Sequence, residues 1–247
     1  MIETNSFKKG LIDGLPIGIG YLSVSFAFGI FSVGAGLSVL EAVMISLFNL
    51  TSAGQLAAVP IIAAGGSIIE LIMTQLVINM RYALMSVSLS QKLSPSVTLA
   101  DRFVISYANT DEIFAVSSAA PGRVGKRYMY GLMITPVIGW TLGTLLGAVA
   151  GDILPALLVS ALGIAIYAMF IAIVVPAARD SRNTALCAIA AIALSALFYY
   201  TPYLSLIPSG FVITLIAVVT SALFALFAPI PDESESASEM KGGESNA

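Results

Sequence analysis

The sequence contains no histidine and only one cysteine, Cys187. Without imidazole it lacks the ligands of a zinc metalloprotease and the base of a serine–histidine dyad, and a single thiol cannot close an internal disulfide. The phosphate-binding pattern G-x-x-x-x-G-K-[ST] and the presenilin-type G-x-G-D motif are also absent, which excludes ATP hydrolysis by a P-loop. We therefore expect no enzymatic activity, no metal site and no cofactor.

Charged residues are scarce as well. They make up 10% of the chain, whereas an ordinary soluble domain carries about 25%. Hydrophobic residues account for 58%, and the mean hydropathy is +0.96. So few charges cannot cover a water-facing surface, and the apolar segments need lipid as their solvent. The composition predicts an all-α fold, a polytopic membrane helix bundle embedded in a lipid bilayer.

The small net charge of −3 arises in the C-terminal tail, where Asp232–Ala247 holds five acids and one lysine. The rest of the chain offers no basic surface for nucleic acid. We expect residues 229–247 to form a disordered, acidic cytoplasmic tail. Residues 1–14 are predicted to be a cytoplasmic lead-in without a cleaved signal peptide, and residues 15–228 the transmembrane domain.

Eight apolar segments follow the lead-in, and most are near the roughly 20 residues that cross a bilayer as a helix. Their connections are short, so no soluble domain is inserted. The segments cover roughly residues 15–34, 40–64, 67–90, 101–120, 128–150, 153–176, 184–200 and 205–228.

Segments two and four carry a helix-start signature in their middle rather than at their edge. In segment two, Ser52 and Gln55 fit a capping box. In segment four, Asn109 and Glu112 repeat that spacing, and Asp111 lies in the first turn, which favours acids. Both segments are therefore predicted to be discontinuous or re-entrant helices.

The positive-inside rule ranks the topologies, since Lys and Arg near span ends prefer the cytoplasm. If both segments re-enter, six spans remain and all basic residues outside the spans are cytoplasmic. If both cross, eight spans result and only Lys92 and Arg102 move outside. If one alone re-enters, more positive charge lies outside. The six-span topology is favoured, and both termini are cytoplasmic with six or eight spans. The basic residues counted are Lys8, Lys9, Lys92, Arg102, Arg123, Lys126, Arg127, Arg179, Arg182 and Lys241.

The stretches from Leu15 and Leu154 both start with Leu-Pro and are both rich in small residues, which suggests an internal repeat. Small residues at helix interfaces give the same texture in any close-packed bundle.

Segment three has two polar faces, so it is predicted to lie between other helices and not against lipid. Arg81 within this span must meet an acid, backbone carbonyls or water. Two interpretations of Arg81 stay open. It forms an ion pair with Asp111 or Glu112, or it binds a substrate carboxylate, and the two contacts can also alternate. Interhelical hydrogen bonding is the expected role of polar amides here, whereas Glu70 is expected to snorkel at the interface. One face carries Glu70, Thr74, Arg81 and Ser88, and the other carries Gln75, Asn79, Tyr82 and Ser86.

The two breaks suggest different chemistry. A free helix N-terminus attracts anions, and no acid lies near Ser52, so the amides of residues 51–54 can meet a carboxylate. Asp111 and Glu112 would repel a carboxylate and suit an ammonium group or a proton. The pattern predicts a site for a zwitterion, and its alternative is that the two acids only cap a helix.

Four stretches of the sequence carry a resemblance to a known family. They are DGLPIGIGYLSVSFAFG from Asp13, SAGQLAAVPIIAAGGS from Ser52, NMRYALMSVSL from Asn79 and NTDEIFAVSSA from Asn109. With these stretches the sequence resembles the AzlC-like branched-chain amino acid permeases, the large subunit of two-component amino acid exporters. It departs from the family pattern at two places, since Ser-Ala-Gly-Gln stands where the family often has A-G-x-S-Q, and Tyr82 stands where it often has histidine.

The resemblance implies a secondary transporter in the bacterial cytoplasmic membrane. It would export valine, leucine, isoleucine or related apolar amino acids, driven by the membrane potential or a proton gradient. It would work with a small, hydrophobic AzlD-like membrane subunit. The alternative functions are an ion channel and a structural subunit of a membrane complex.

The candidate site residues divide into two groups by the ligand that each group is expected to meet. The substrate-binding candidates are Ser52, Gly54, Gln55, Asn79 and Arg81, and the candidates for a coupling, proton or ammonium site are Asp111 and Glu112.

Overall fold

The computed structural model describes residues 3–153 and 181–227, together with isolated positions between 155 and 179. These residues are mostly helical, which confirms the predicted all-α fold. The chain divides into two compact units, Met1–Ile171 and Ala172–Ala247. In chain order the elements are β1 (Glu3–Thr4), α1 (Phe7–Gly34), α2 (Val39–Phe48), α3 (Ala53–Ala63), α4 (Ile68–Lys92), α5 (Leu99–Tyr107), α6 (Asp111–Ala119), β2 (Arg123–Val124), α7 (Lys126–Ile153), α8 (Arg182–Tyr200), a 3₁₀ turn (Leu204–Leu206) and α9 (Ser209–Phe227).

Five helices are long and apolar enough to cross a membrane, namely α1, α4, α7, α8 and α9. They correspond to predicted segments one, three, five, seven and eight. Helix α1 begins at Phe7, eight residues before the predicted span. Segment six at 153–176 and the tail at 229–247 lie outside the described residues, apart from the isolated positions.

Helices α1 and α7 form the centre of the first unit and run parallel. Gly10 meets Gly131, and Gly139 meets Gly18 further along both helices. The glycines let the two backbones touch, as small residues do in membrane bundles. A Cβ on Gly139 would overlap the carbonyl oxygen of Gly18.

This close approach gives a stability prediction. Gly139→Ala is expected to lower the free energy of unfolding by about 1–3 kcal/mol, because its Cβ meets backbone that cannot move aside. Gly20→Ala is the matched control, since nothing lies within 4 Å of a Cβ there. Thermal unfolding of the purified protein in detergent measures both. Equal stability of the two variants would contradict the packing described.

One end of the first unit collects its basic residues and is called the basic end. Strands β1 and β2 pair in parallel there, which joins the starts of α1 and α7. The Ser94 amide donates to the Val124 carbonyl (2.8 Å), which brings the end of α4 to the same place. By the positive-inside rule this end is cytoplasmic. Its basic residues are Lys8, Lys9, Lys92, Arg102, Arg123, Lys126 and Arg127.

The direction of α4 decides the topology. It spans 25 residues, enough to cross a bilayer at about 1.5 Å per residue. Because α4 ends at the basic end, it begins at the opposite end, where α1 also finishes. Helices α2 and α3 therefore enter and leave at that opposite end. Val59 of α3 packs back against Phe28 and Leu37 near the end of α1, as a re-entrant hairpin requires.

The second hairpin enters from the basic end. At the start of α5, Asp101 accepts a hydrogen bond from the Tyr130 hydroxyl (2.6 Å) and lies 3.6 Å from the Lys126 ammonium. After α6 the chain returns to the same end, where the Thr4 hydroxyl donates to the Pro121 carbonyl (3.0 Å). We call α2–α3 the outer hairpin and α5–α6 the inner hairpin.

The prediction of discontinuous segments two and four is thus confirmed, and both re-enter. A topology in which one segment alone re-enters is ruled out, since it would make α1 and α7 antiparallel. Two expectations for α4 are wrong. Leu76, Met80 and Leu84 are each at least 60% exposed, so α4 does not lie between other helices of the described chain but leaves an apolar side uncovered. Glu70 is only 3% exposed and does not snorkel to water. Glu70 lies in the first turn of α4, where its backbone N–H donates to the Ser67 hydroxyl (3.1 Å).

Candidate functional site

The two hairpins meet through their breaks, which lie about half a membrane from either end. We call residues 49–52 the outer tip and residues 108–110 the inner tip. The Tyr107 hydroxyl donates to the Leu47 carbonyl and joins the hairpins directly. Helix α4 passes both tips and presents polar side chains to each.

The outer tip is held in an unusual backbone conformation. Ser52 has a φ of 55°, and it alone has a positive φ among the non-glycine residues that the structure describes. The Gln55 side chain accepts from the Ser52 amide (3.2 Å) and donates to the Ser46 hydroxyl (3.0 Å). Gln55 is fully buried, so it supports the tip from behind. Backbone strain of this kind is concentrated at functional sites.

Gly54 brings α3 close to α4. A Cβ there would lie 2.5 Å from Thr51 Oγ1, 2.7 Å from Gln75 Oε1 and 2.9 Å from Asn79 Nδ2. The Gln75 amide donates to the Gly54 carbonyl (2.8 Å) and accepts from Asn49 (3.2 Å). The predicted interhelical hydrogen bonding is confirmed for Gln75. Asn79 donates to Gln75 (3.0 Å), and its Oδ1 is buried without a partner in the described part of the chain.

Arg81 connects the two tips. Its guanidinium lies 2.7 Å from Asp111, the first residue of α6, which confirms the predicted ion pair. It also donates to the Tyr82 hydroxyl (3.2 Å), which donates in turn to the Thr51 carbonyl of the outer tip (3.2 Å). The Arg81 and Asp111 side chains are 48% and 45% exposed. About half of each side chain is therefore not covered by the protein.

The inner tip differs from its prediction by one residue. The N-cap of α6 is Thr110 and not Asn109. Asn109 is only 2% exposed, donates instead to the Ser86 hydroxyl of α4 (3.1 Å), and leaves its Oδ1 buried and unpartnered among the described residues. Because α6 begins at Asp111, the N-cap position falls on Thr110, and Asn109 Oδ1 accepts no backbone N–H of the helix. The expected Asn109–Glu112 capping box is therefore wrong.

Tyr21 of α1 completes the inner tip. Its hydroxyl lies 2.7 Å from the Thr110 hydroxyl and also bonds the Glu112 carboxylate. The Tyr21 ring packs edge-on against Trp140, with 5.0 Å between centroids. Asp111 and Glu112 thus point to different partners, one on α4 and one on α1.

A cavity of about 200 Å³ lies between α4 and α5, on the basic side of the inner tip. Its lining includes Ser86, the partner of Asn109, together with the apolar side chains of Leu89 and Ile105. Arg102 is the charged residue of the described lining. The cavity therefore has residues of the basic end and a residue beside the inner tip in its walls.

Comparison with known proteins settles the family. A family model described as AzlC protein matches residues 16–154, which include both hairpins and more than half of the chain. The chain belongs to the AzlC family. The resemblance noted in its sequence is thereby confirmed, and the AzlC protein is a multi-pass protein of the cytoplasmic membrane.

Several membrane proteins are similar to this AzlC protein. Inner membrane protein YgaZ of Escherichia coli (strain K12) is 31% identical over 76% of this chain and 78% of YgaZ. An uncharacterized membrane protein of Archaeoglobus fulgidus is 31% identical over 76% of this chain and 84% of its own. An uncharacterized membrane protein of Helicobacter pylori (strain 26695) is 24% identical over 60% of this chain and 65% of its own. No solved structure matches the chain.

The fold brings together motifs that are far apart in the sequence. The sequence motifs that carry the resemblance include Ser52 of the outer tip, Arg81 of α4 and Asn109 of the inner tip, which the fold brings together. Among the described residues, no group of three metal-ligating side chains occurs. Sequence reasoning missed Tyr21, because a tyrosine in an apolar run carries no local signal for a partner 89 residues away.

Proposed function

We propose that this AzlC protein is a secondary transporter that exports branched-chain or other apolar amino acids across the cytoplasmic membrane. The observation that carries the proposal is the meeting of two re-entrant tips at Arg81. Ionisable groups within the membrane are costly, and they mark substrate and ion pathways. Transporters bind their substrates at the midplane, where half-helices begin.

The substrate carboxylate is assigned to the start of α3 and to Arg81. The first amides of α3 have no intrahelical acceptor, and the positive end of the helix dipole lies there. Gly54 lets this helix start lie against the polar side chains of Gln75 and Asn79 on α4. Ser52 shapes the tip, with Gln55 supporting it, and the half-exposed Arg81 guanidinium offers a fork that matches a carboxylate.

The substrate ammonium group or a coupling proton is assigned to the acids of α6. When a carboxylate takes Arg81, Asp111 loses its cation and becomes available to a positive partner. Glu112 lies one residue further along the same helix start, and Asn79 holds an unpartnered acceptor near α3 among the described residues. The two charged ends of a zwitterion are thereby matched without leaving an unpaired ion in the membrane.

The apolar side chain of the substrate is assigned to the cavity between α4 and α5. Its walls at Leu89 and Ile105 suit an aliphatic group, and its described lining residues include no acid. We place the cytoplasmic route that an exporter needs along this cavity, because its lining includes Arg102 of the basic end and Ser86 beside the inner tip. By the family resemblance, we propose a small AzlD-like membrane subunit as partner.

Counterflow in proteoliposomes tests the proposal. Vesicles loaded with unlabelled leucine should accumulate external labelled leucine when they contain this chain with its partner, and unloaded vesicles should not. Labelled lysine is the control substrate, since the described lining of the cavity contains the cation Arg102 and no acid that could meet a second ammonium group. An ungated ion current with no counterflow would favour a channel, and neither activity would favour a structural subunit.

A further inference from the structure

The first unit contains an internal repeat of about sixty residues that links α1–α3 to α4–α6. Each half consists of a crossing helix, a capped half-helix, a break and a second half-helix. The crossing helices α1 and α4 are N-capped by Ser6 and Ser67. Both hairpins open with a capping box, Ser38 with Glu41 and Thr98 with Asp101, and both breaks contain an asparagine. The matching pairs are Ser6 and Ser67, Tyr21 and Tyr82, Ser38 and Thr98, Glu41 and Asp101, and Asn49 and Asn109, each 60 or 61 positions apart.

The two halves have opposite orientations. The outer hairpin follows α1 and enters from the end opposite the basic end, whereas the inner hairpin follows α4 and enters from the basic end. Repeats of inverted topology place their shared site at the interface between the halves, near the bilayer midplane. Alternating access in such proteins opens that site to one side at a time.

Each of the two matched tyrosines, Tyr21 and Tyr82, contacts the hairpin tip of the other half of the repeat. Tyr82 belongs to the second half and bonds the Thr51 carbonyl in the tip of the first half (3.2 Å). Tyr21 belongs to the first half and bonds Thr110 and Glu112 at the tip of the second half. Each hairpin is thus held closed by a hydroxyl from the other half.

We propose that Tyr21 and Tyr82 are paired gating residues of this transporter, with Tyr82 holding the outer hairpin closed and Tyr21 holding the inner one. Release of one hydroxyl at a time frees one hairpin and opens the site between the tips to one side of the membrane. The inference deepens the proposed function, because it assigns the two entrances of that site. It requires only that the hairpins gate a central site and does not depend on which solute is carried.

The energetics suit a gate. A neutral hydrogen bond contributes about 0.5–1.5 kcal/mol net, which is small enough to be broken in every cycle. Removal of one such bond should therefore raise the open population about 2- to 13-fold on the corresponding side. The Tyr21 contact includes a carboxylate, and charge-assisted bonds are roughly twice as strong, so the larger change is expected for the inner gate.

The test uses a single reporter thiol between the tips. Cys187→Ser removes the native cysteine, and Ala53→Cys places the reporter at the first residue of α3. A membrane-impermeant maleimide is added to oriented vesicles from the outside or from the inside, without any amino acid. Tyr82→Phe should speed labelling from the outside alone, and Tyr21→Phe from the inside alone, each at least about twofold.

The controls distinguish an effect on gating from unfolding of the protein and from a wrong assignment of the transported solute. Tyr203→Phe, on an exposed residue of the second unit, should leave both labelling rates unchanged. Thermal unfolding in detergent shows whether each Phe variant is folded. If a variant is unfolded, Thr110→Val tests the inner gate without altering the tyrosine. Changes on the same side for both tyrosines, or no change for either, would overturn the proposal. Absence of leucine counterflow together with side-specific labelling would overturn the substrate assignment alone.

Discussion

Arg81→Ala is expected to abolish leucine export, with a loss of at least about 10- to 100-fold, the equivalent of one hydrogen-bonded charge at 1.5–3 kcal/mol. The amount of protein in the membrane should not fall. Insertion depends on summed hydrophobicity, and an arginine at a helix centre opposes it by about 2.5–3.5 kcal/mol. Export of labelled leucine from vesicles, normalised to the inserted protein, measures the effect.

Two further variants distinguish substrate binding by Arg81 from a purely structural ion pair with Asp111. Lys92→Ala removes a cation at the basic end and should export normally. The exchange Arg81→Asp with Asp111→Arg keeps an ion pair between α4 and α6 but moves the guanidinium away from α3. We expect the exchange to stay inactive. Normal export by Arg81→Ala, or rescue by the exchange, would remove Arg81 from substrate binding.

Asp111→Asn is expected to uncouple export from the proton gradient while leucine counterflow persists. Asparagine keeps the size of the side chain and an acceptor for Arg81, but it cannot bind and release a proton. Leucine efflux from vesicles with and without an imposed pH gradient measures the coupling. Wild-type efflux should accelerate with the gradient, and efflux by the variant should not respond.

Two other acids, Glu112 and Glu41, provide comparison variants for the Asp111→Asn experiment. Glu112→Gln tests whether the second acid of α6 shares the coupling role, since it bonds Tyr21 and not Arg81. Glu41→Gln alters an exposed capping box at the start of the outer hairpin and should retain the gradient response. An unchanged response in Asp111→Asn would exclude Asp111 as the proton site.

The sequence predicted the broken helices because a capping signature in the middle of an apolar run marks a helix start where a continuous span needs none. The spacing of Ser52 and Gln55 identified the outer break, and Gln55 does reach the Ser52 amide. The ion pair of Arg81 and Asp111 was also predictable as one of two alternatives, since a cation within a membrane must find an acid or another polar partner. Their roles in transport remain predictions.

Long-range hydroxyl contacts could not be predicted in the same way. Tyr21 and Tyr107 lie in apolar stretches, where aromatic residues are typical of packing, and their partners are 60 to 91 residues away. The start of α6 was misplaced by one residue because Asn109 and Thr110 are both residue types that favour the N-cap position, and spacing alone does not choose between two adjacent candidates.

The repeat of α1–α3 and α4–α6 is a different one from the repeat suggested by the sequence. The suggested similarity between the stretches from Leu15 and Leu154 stays a prediction, because most of the second stretch lies outside the described residues. The repeat seen in the structure is carried by a few capping and break residues, such as Thr98 and Asn109. Lipid-facing positions between them accept any apolar residue, so the two halves share little continuous sequence.

The central claim is that the substrate binds between the two tips, and protection of the Ala53→Cys reporter by leucine tests it most directly. In the Cys187→Ser background, saturating leucine should slow maleimide labelling at least about tenfold, which a bound carboxylate at the start of α3 would impose on its first residue. A second reporter, Tyr203→Cys, should label at the same rate with and without leucine. An equal labelling rate of Ala53→Cys in the presence and absence of leucine, in vesicles that carry out counterflow, would contradict the claim.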